Sequence, residues 1–132
     1  MLTIRLDAAE SLVDQIARGI RVLLASGSLK PNDDLPTVRQ LAGDLGVNLN
    51  TVSRAYRELE DAGLVSTVRG RGTIVASNQE LLRGGKARKK RELVDRLASA
   101  FADAKLAGFT DVEVDSLVME QRERFRGYAR RG

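Results

Sequence analysis

Residues 35 to 76 read LPTVRQLAGDLGVNLNTVSRAYRELEDAGLVSTVRGRGTIVA, and the fold is decided here. From Asn48 to Ala62 the apolar residues Val52, Ala55, Tyr56, Leu59 and Ala62 recur at helical spacing, while Asn50, Ser53, Arg54 and Arg57 fall on the other side. One face packs and the other is left to touch something. Upstream, Pro36 stands where helices begin, Val38, Leu41, Ala42 and Leu45 make a packing stripe, and Gly46 closes a helix of about ten residues. Val47 intervenes before Asn48, a residue type that caps helices. Two helices joined by a short glycine-bearing turn are the pattern of a helix-turn-helix. Gly63 ends the second helix, and the β-prone runs Leu64, Val65, Val68 and Thr73, Ile74, Val75 flank Arg69-Gly70-Arg71-Gly72, a hairpin with a basic tip.

Toward the N-terminus, Leu2, Ile4 and Leu6 alternate with Thr3 and Arg5, which reads as a short extended arm or edge strand. Asp7 and Glu10 have capping-box spacing and predict a helix from Asp7, with Leu12, Val13, Ile16, Ile20, Leu23 and Leu24 on one face and Gly27 closing it. Ser28 to Leu35 carries Pro31, Asn32, Asp33 and Asp34, a dense turn signal. Two adjacent aspartates do not build a coordination sphere, so the acidic pair reads as solvated.

Beyond Asn78 the character changes. Gly84-Gly85 interrupts the chain, and Lys86 to Arg91 places five cations in six residues, either a solvated charge run at a boundary or a set of phosphate contacts. Leu93, Leu97, Ala100, Phe101 and Ala104 then recur at helical intervals up to Gly108. Thr110 with Glu113 forms a capping box and Phe109 with Val114 a hydrophobic staple, predicting a last helix with Val114, Leu117, Val118, Gln121, Phe125 and Tyr128 on one face. Two helices in a hairpin cannot bury both apolar stripes against each other, so a second copy is the expected partner, in a two-fold four-helix interface. The dimerisation candidates are Leu93, Leu97, Phe101, Leu117, Val118 and Phe125. The organisation is thus residues 1–77 as one domain and 78–132 as a helical appendage.

The bulk numbers exclude more than they assign. The 132 residues contain no cysteine and no histidine. That removes disulfides, the usual general base, the Ser-His-Asp and Cys-His arrangements and the commonest zinc ligand, so no catalytic site, cofactor or metal is expected. No apolar run approaches the roughly 20 residues needed to span a bilayer, and MLTIRLDAAE lacks the regions of a signal peptide; the simplest location is cytoplasmic. The net charge is +4, but residues 1 to 77 hold nine Lys or Arg against nine Asp or Glu, so only local placement can point to nucleic acid. A GxG with no helix after it is poor evidence for a nucleotide cradle. The two arginines beside it need another reason, either solubility or a reach into a nucleic-acid groove.

The ordered run Leu35-Pro36-Thr37-x-Arg39-x-Leu41-Ala42, Val47-x-x-Asn50-Thr51-Val52, Ala55-Tyr56-x-x-Leu59, Gly63-Leu64-Val65 and Gly70-x-Gly72-Thr73 resembles the GntR family of bacterial transcription regulators over about residues 10 to 76. The resemblance implies a mainly α fold with a small β-hairpin: a winged helix-turn-helix followed by a two-helix C-terminal dimerisation segment. With the chain ending at Gly132, the tail looks like the short YtrA-like subfamily, whose members commonly repress operons that include ABC transporters. It also implies that Arg39 contacts DNA, that Arg69 and Gly70 form a wing tip directed to the minor groove, and that Thr51 contacts phosphate. Leu49 and Ser53 stand where many relatives carry arginines, so those base-reading roles do not transfer.

The residues themselves supply a mechanism. An α-helix fits the major groove, and this one offers Asn48, Asn50 and Ser53 with the cations Arg54 and Arg57; Asn48 has a structural use as the cap besides. With Arg39, Thr51, Arg69, Gly70 and Arg71 these make up the candidate DNA-binding set. The expectation is a sequence-specific homodimeric repressor on double-stranded operator DNA with a palindromic site. The competing reading is a protein-interaction module that retains a winged-helix scaffold. A small-molecule effector, its identity open, would fit a dimer-interface pocket better than one within a single chain.

Overall fold

The computed structural model describes residues 2–77 and 85–126. The expected linker from Asn78 to Gly84, and Tyr128 on the last helix, lie outside the described residues. The chain divides into two compact units, taken one at a time.

In the N-terminal unit, α1 spans Leu12–Ala25, α2 Val38–Leu45 and α3 Leu49–Asp61, followed by β1 Val65–Val68 and β2 Gly72–Val75. The hairpin is antiparallel, with Val65 opposite Val75 and Val68 opposite Gly72. Helix α3 is the hub and packs against α1, α2 and β1. Its Val52, Ala55 and Leu59 are fully buried with Ile16 and Ile20 of α1 and Val75 of β2. Each such aliphatic side chain contributes on the order of 1.5–3 kcal/mol when removed from water. The fold class is the expected one, mostly helical with a two-stranded hairpin.

Three local expectations differ. Helix α1 starts at Leu12 rather than Asp7, because Ser11 is the cap and accepts the Asp14 amide at 3.1 Å. Glu10 is diverted to Arg18, whose Nη2 donates to its carboxylate at 2.7 Å. Buried Gln15 clasps the preceding chain: its Oε1 accepts the Arg5 amide at 2.7 Å and its Nε2 donates to the carbonyls of Arg5 and Glu10, both at 2.9 Å. The N-terminal arm is accordingly not a strand; Leu2 and Ile4 lean on the core while Leu6 stays 83% exposed. Pro36 precedes α2 by two residues, since Thr37 is the cap and forms a reciprocal box with Gln40. Gly46, at φ 69°, closes α2 as expected.

The third difference bears on the wing. Residues 32–35 are more than a turn: the Asn32 amide donates to the Val75 carbonyl (3.0 Å), Val75 to Asp33 (2.8 Å) and Leu35 to Thr73 (2.9 Å). Asp34 bridges antiparallel to Ile74. The hairpin therefore has a third line of backbone pairing, supplied by the segment that leads into α2.

In the C-terminal unit, α4 spans Lys86–Leu106 and α5 Asp111–Arg124, with Gly108 at φ 91° between them. The expected Thr110–Glu113 capping box forms. Its two hydrogen bonds hold the Glu113 carboxyl below the usual carboxylate range. Helix α4 has no such start: Gly85 supplies no side-chain cap and the first turn has no acid. No side chain of either helix is buried.

Candidate nucleic-acid interface

The polar face of α3 is built by the same spacing that buries its other face. Asn48 caps the helix, its Oδ1 accepting the Asn50 amide at 2.7 Å. Asn50, Arg54 and Arg57 are exposed, and Thr51 and Ser53 half-buried. The Thr37–Gln40 box of α2 leaves Arg39 exposed in the first turn of that helix. The N-terminal ends of α2 and α3 meet at a shallow hollow of about 560 Å³, whose lining includes Thr37, Arg39, Asn48, Asn50 and Ser53. Helix N-termini carry partial positive charge from unpaired amides, so this hollow favours an anion such as a phosphate.

Tyr56 ties the two helices together. It is 5% exposed, and its hydroxyl donates to the Pro36 carbonyl at 2.6 Å. Burial disfavours the phenolate and pushes its pKa up to about 12. The residue is core, as its spacing with Val52 and Leu59 predicts, and not a stacking platform.

At the wing, Arg69, Gly70 and Arg71 are all exposed, with Gly70 at φ 81°. The two arginines are not equivalent. Arg71 turns back from the tip: its Nε donates to Asp34 Oδ1 at 2.8 Å and its Nη2 to the Asn32 carbonyl at 2.8 Å. Arg69 makes no ion pair or side-chain hydrogen bond among the described residues. Leu49, set aside by the sequence reading as a non-arginine, is 46% exposed and lines the same hollow as Asn50. An exposed leucine there can meet a thymine methyl, a role that a search for cations does not find.

The dimerisation candidates lie in the C-terminal unit, where Leu97, Phe101, Leu117, Val118 and Phe125 line an open apolar groove of about 950 Å³. Leu93 is 54% exposed but outside that lining; Met119, which the helical-face reading missed, is within it. No cluster of three or more His, Cys, Asp or Glu able to hold a metal occurs among the described residues. None of the described helices is long and apolar enough to cross a membrane.

Residues 12–75 match the family model described as bacterial regulatory proteins, gntR family. The chain is 37% identical over 119 residues to the HTH-type transcriptional repressor YtrA of Bacillus subtilis, covering 89% of this chain and 86% of the relative. Among solved structures, the transcriptional antiterminator from Listeria monocytogenes superposes with a TM-score of 0.81 at 29% identity, covering 100% of this chain and 98% of that one. The DNA-binding domain of AraR in complex with operator ORX1 superposes at 0.51 with 28% identity, covering 57% of this chain and 96% of that one.

Proposed function

Since the chain belongs to the gntR family and is a DNA-binding transcriptional regulator, we propose that it acts as a homodimeric repressor reading a palindromic operator with α3 in the major groove and the wing beside it. The observation that carries this reading is the division of α3. Val52, Ala55, Tyr56 and Leu59 are buried, while Asn50, Arg54 and Arg57 face solvent beside the Arg39 end of α2. The AraR–operator complex supports it from outside, as a similar domain crystallised on duplex DNA.

Within this reading Asn50 and Ser53 meet base edges, Arg54 and Arg57 read guanine or hold phosphate, and Arg39, Thr51 and the α2–α3 hollow take backbone phosphate. Arg69 and Gly70 approach the minor groove. The amide–hydroxyl face favours adenine, which asparagine can pair bidentately. Two copies joined through α4 and α5 would present their α3 helices to successive major grooves roughly 34 Å apart. The target that the short-subfamily resemblance suggests is an operon that includes an ABC transporter. An effector, of unknown identity, would enter at the groove between copies.

The test is binding of the purified chain to a duplex from its own upstream region, with random duplex and an RNA hairpin as competitors, at moderate salt. Protection of two half-sites one helical turn apart is expected, with steeply salt-dependent affinity. Equal affinity for random duplex would remove the sequence-specific reading. A stable complex with another protein that survives neutralisation of Arg39, Arg54 and Arg69 would favour an interaction module instead.

A further inference from the structure

Two arginines flank Gly70 at the wing tip, and only one of them is available to a ligand. Arg71 forks between two acceptors on one segment, the Asp34 carboxylate and the Asn32 carbonyl, each at 2.8 Å. That segment is itself laced to β2 by the three backbone bonds at Asn32, Leu35 and Val75. The fork therefore joins the tip of the hairpin to the line of chain that enters α2.

Stability alone does not explain this arrangement. The Arg71 and Asp34 side chains are 48% and 66% exposed, and an ion pair so placed contributes little to folding. What a planar guanidinium on two acceptors adds is direction. Direction is what this wing lacks: its strands have four residues each, and Gly70 and Gly72 both sit at positive φ with no side chain to fix the turn. A ribbon this short is marginal by itself and would swing about its base. Asp34 poses a second question, because a carboxylate on a DNA-facing loop repels phosphate, and the fork gives it a use there.

Building on the DNA-binding reading above, we propose that Arg71 is a positioning residue: through Asp34 and the Asn32 carbonyl it locks the wing so that Arg69, and not Arg71, meets the DNA. Arg71 stays on Asp34 in the complex. The wing then contributes one cation to the salt dependence, and its precision depends on an acidic residue outside the hairpin.

The experiment is fluorescence anisotropy of the full chain on its upstream duplex across a salt series, with a thermal melt of each variant. In the wild-type background Arg69→Gln should weaken binding about tenfold and lower the salt slope by about one. Arg71→Gln should weaken binding about tenfold with the slope unchanged, because no phosphate contact is lost. Asp34→Asn should also weaken binding, although it removes a negative charge from the DNA-facing side. In the charge-conserving pair Asp34→Asn with Arg71→Gln, the further loss on adding Arg69→Gln should shrink below about threefold, as the wing no longer aims Arg69.

Tighter binding by Asp34→Asn would overturn the proposal. So would a slope reduced by Arg71→Gln as much as by Arg69→Gln, or an Arg69 contribution equal in both backgrounds. Arg71→Lys keeps the charge and loses the fork, and full recovery by that variant would point to a phosphate contact instead. Failure of the DNA-binding reading shows separately, as absence of salt-dependent duplex binding by the wild-type chain.

Discussion

Tyr56 is the residue whose ionisation the fold opposes most openly. The unfolded chain ionises it near pH 10, whereas the folded chain holds the proton to about 12. Between these values the unfolded state binds fewer protons, so stability falls as pH rises. The contribution is intact below pH 10 and lost through about pH 12. Melting temperature should therefore drop across that window in the wild type, and less in Tyr56→Phe. At neutral pH the same substitution should cost about 1 kcal/mol, since it orphans the Pro36 carbonyl. Equal alkaline profiles for the two chains would refute the assignment. Arg39 is the opposite kind of residue: exposed, without an ion pair among the described residues, and at the anion-favouring end of α2. Arg39→Ala should leave denaturant midpoints within about 0.5 kcal/mol of wild type. Duplex binding should nonetheless weaken by about 1–3 kcal/mol, read in the same anisotropy assay.

At the scale of elements, α3 separates a structural from a recognition role at a single position. Asn48 is its cap, so Asn48→Ala should cost about 1 kcal/mol of stability while Asn48→Ser, an equivalent cap, should cost almost none. If Asn48 also touches a base, Asn48→Ser will lose operator affinity at unchanged stability; if it only caps, affinity will follow the melts. The ends of α3 were legible beforehand because cap and apolar period agree on Asn48 and Ala62. The start of α1 was not, because Asp7 with Glu10 and Ser11 with Asp14 both have cap spacing, and the choice rests on Gln15 reaching back to Arg5. Residues 32–35 hide their pairing for a similar reason: turn-forming side chains say nothing about backbone amides that find β2 after folding. Among the candidate contacts, the polar face of α3 follows from periodicity alone. The state of Arg71 does not, since its partner Asp34 is 37 residues away in sequence and no local spacing encodes the pair.

For the molecule as a whole, the C-terminal unit poses the energetic problem. An N-terminal unit with fully buried Ile16, Val52 and Leu59 has its own core, whereas α4 and α5 bury none of their side chains and expose Leu97, Phe101 and Met119 by about half. Apolar surface of that extent, left in water, marks an interaction site. A second copy offers the same stripe in a self-complementary arrangement, which a two-fold axis requires. Phe101→Asp places a charge in the middle of this face, where its burial against a partner would cost several kcal/mol. Sedimentation should then report a monomer at concentrations where the wild type is a dimer, with the N-terminal unit still folded by circular dichroism. Operator affinity should fall by about 100-fold or more, because the second half-site would no longer be bound at the effective concentration that linkage provides. Binding to an isolated half-site, which needs one copy, should be unchanged. A variant that remains dimeric would move the dimer contact elsewhere. A monomeric variant with full operator affinity would instead separate dimerisation from recognition, and the two-fold operator would have to be abandoned.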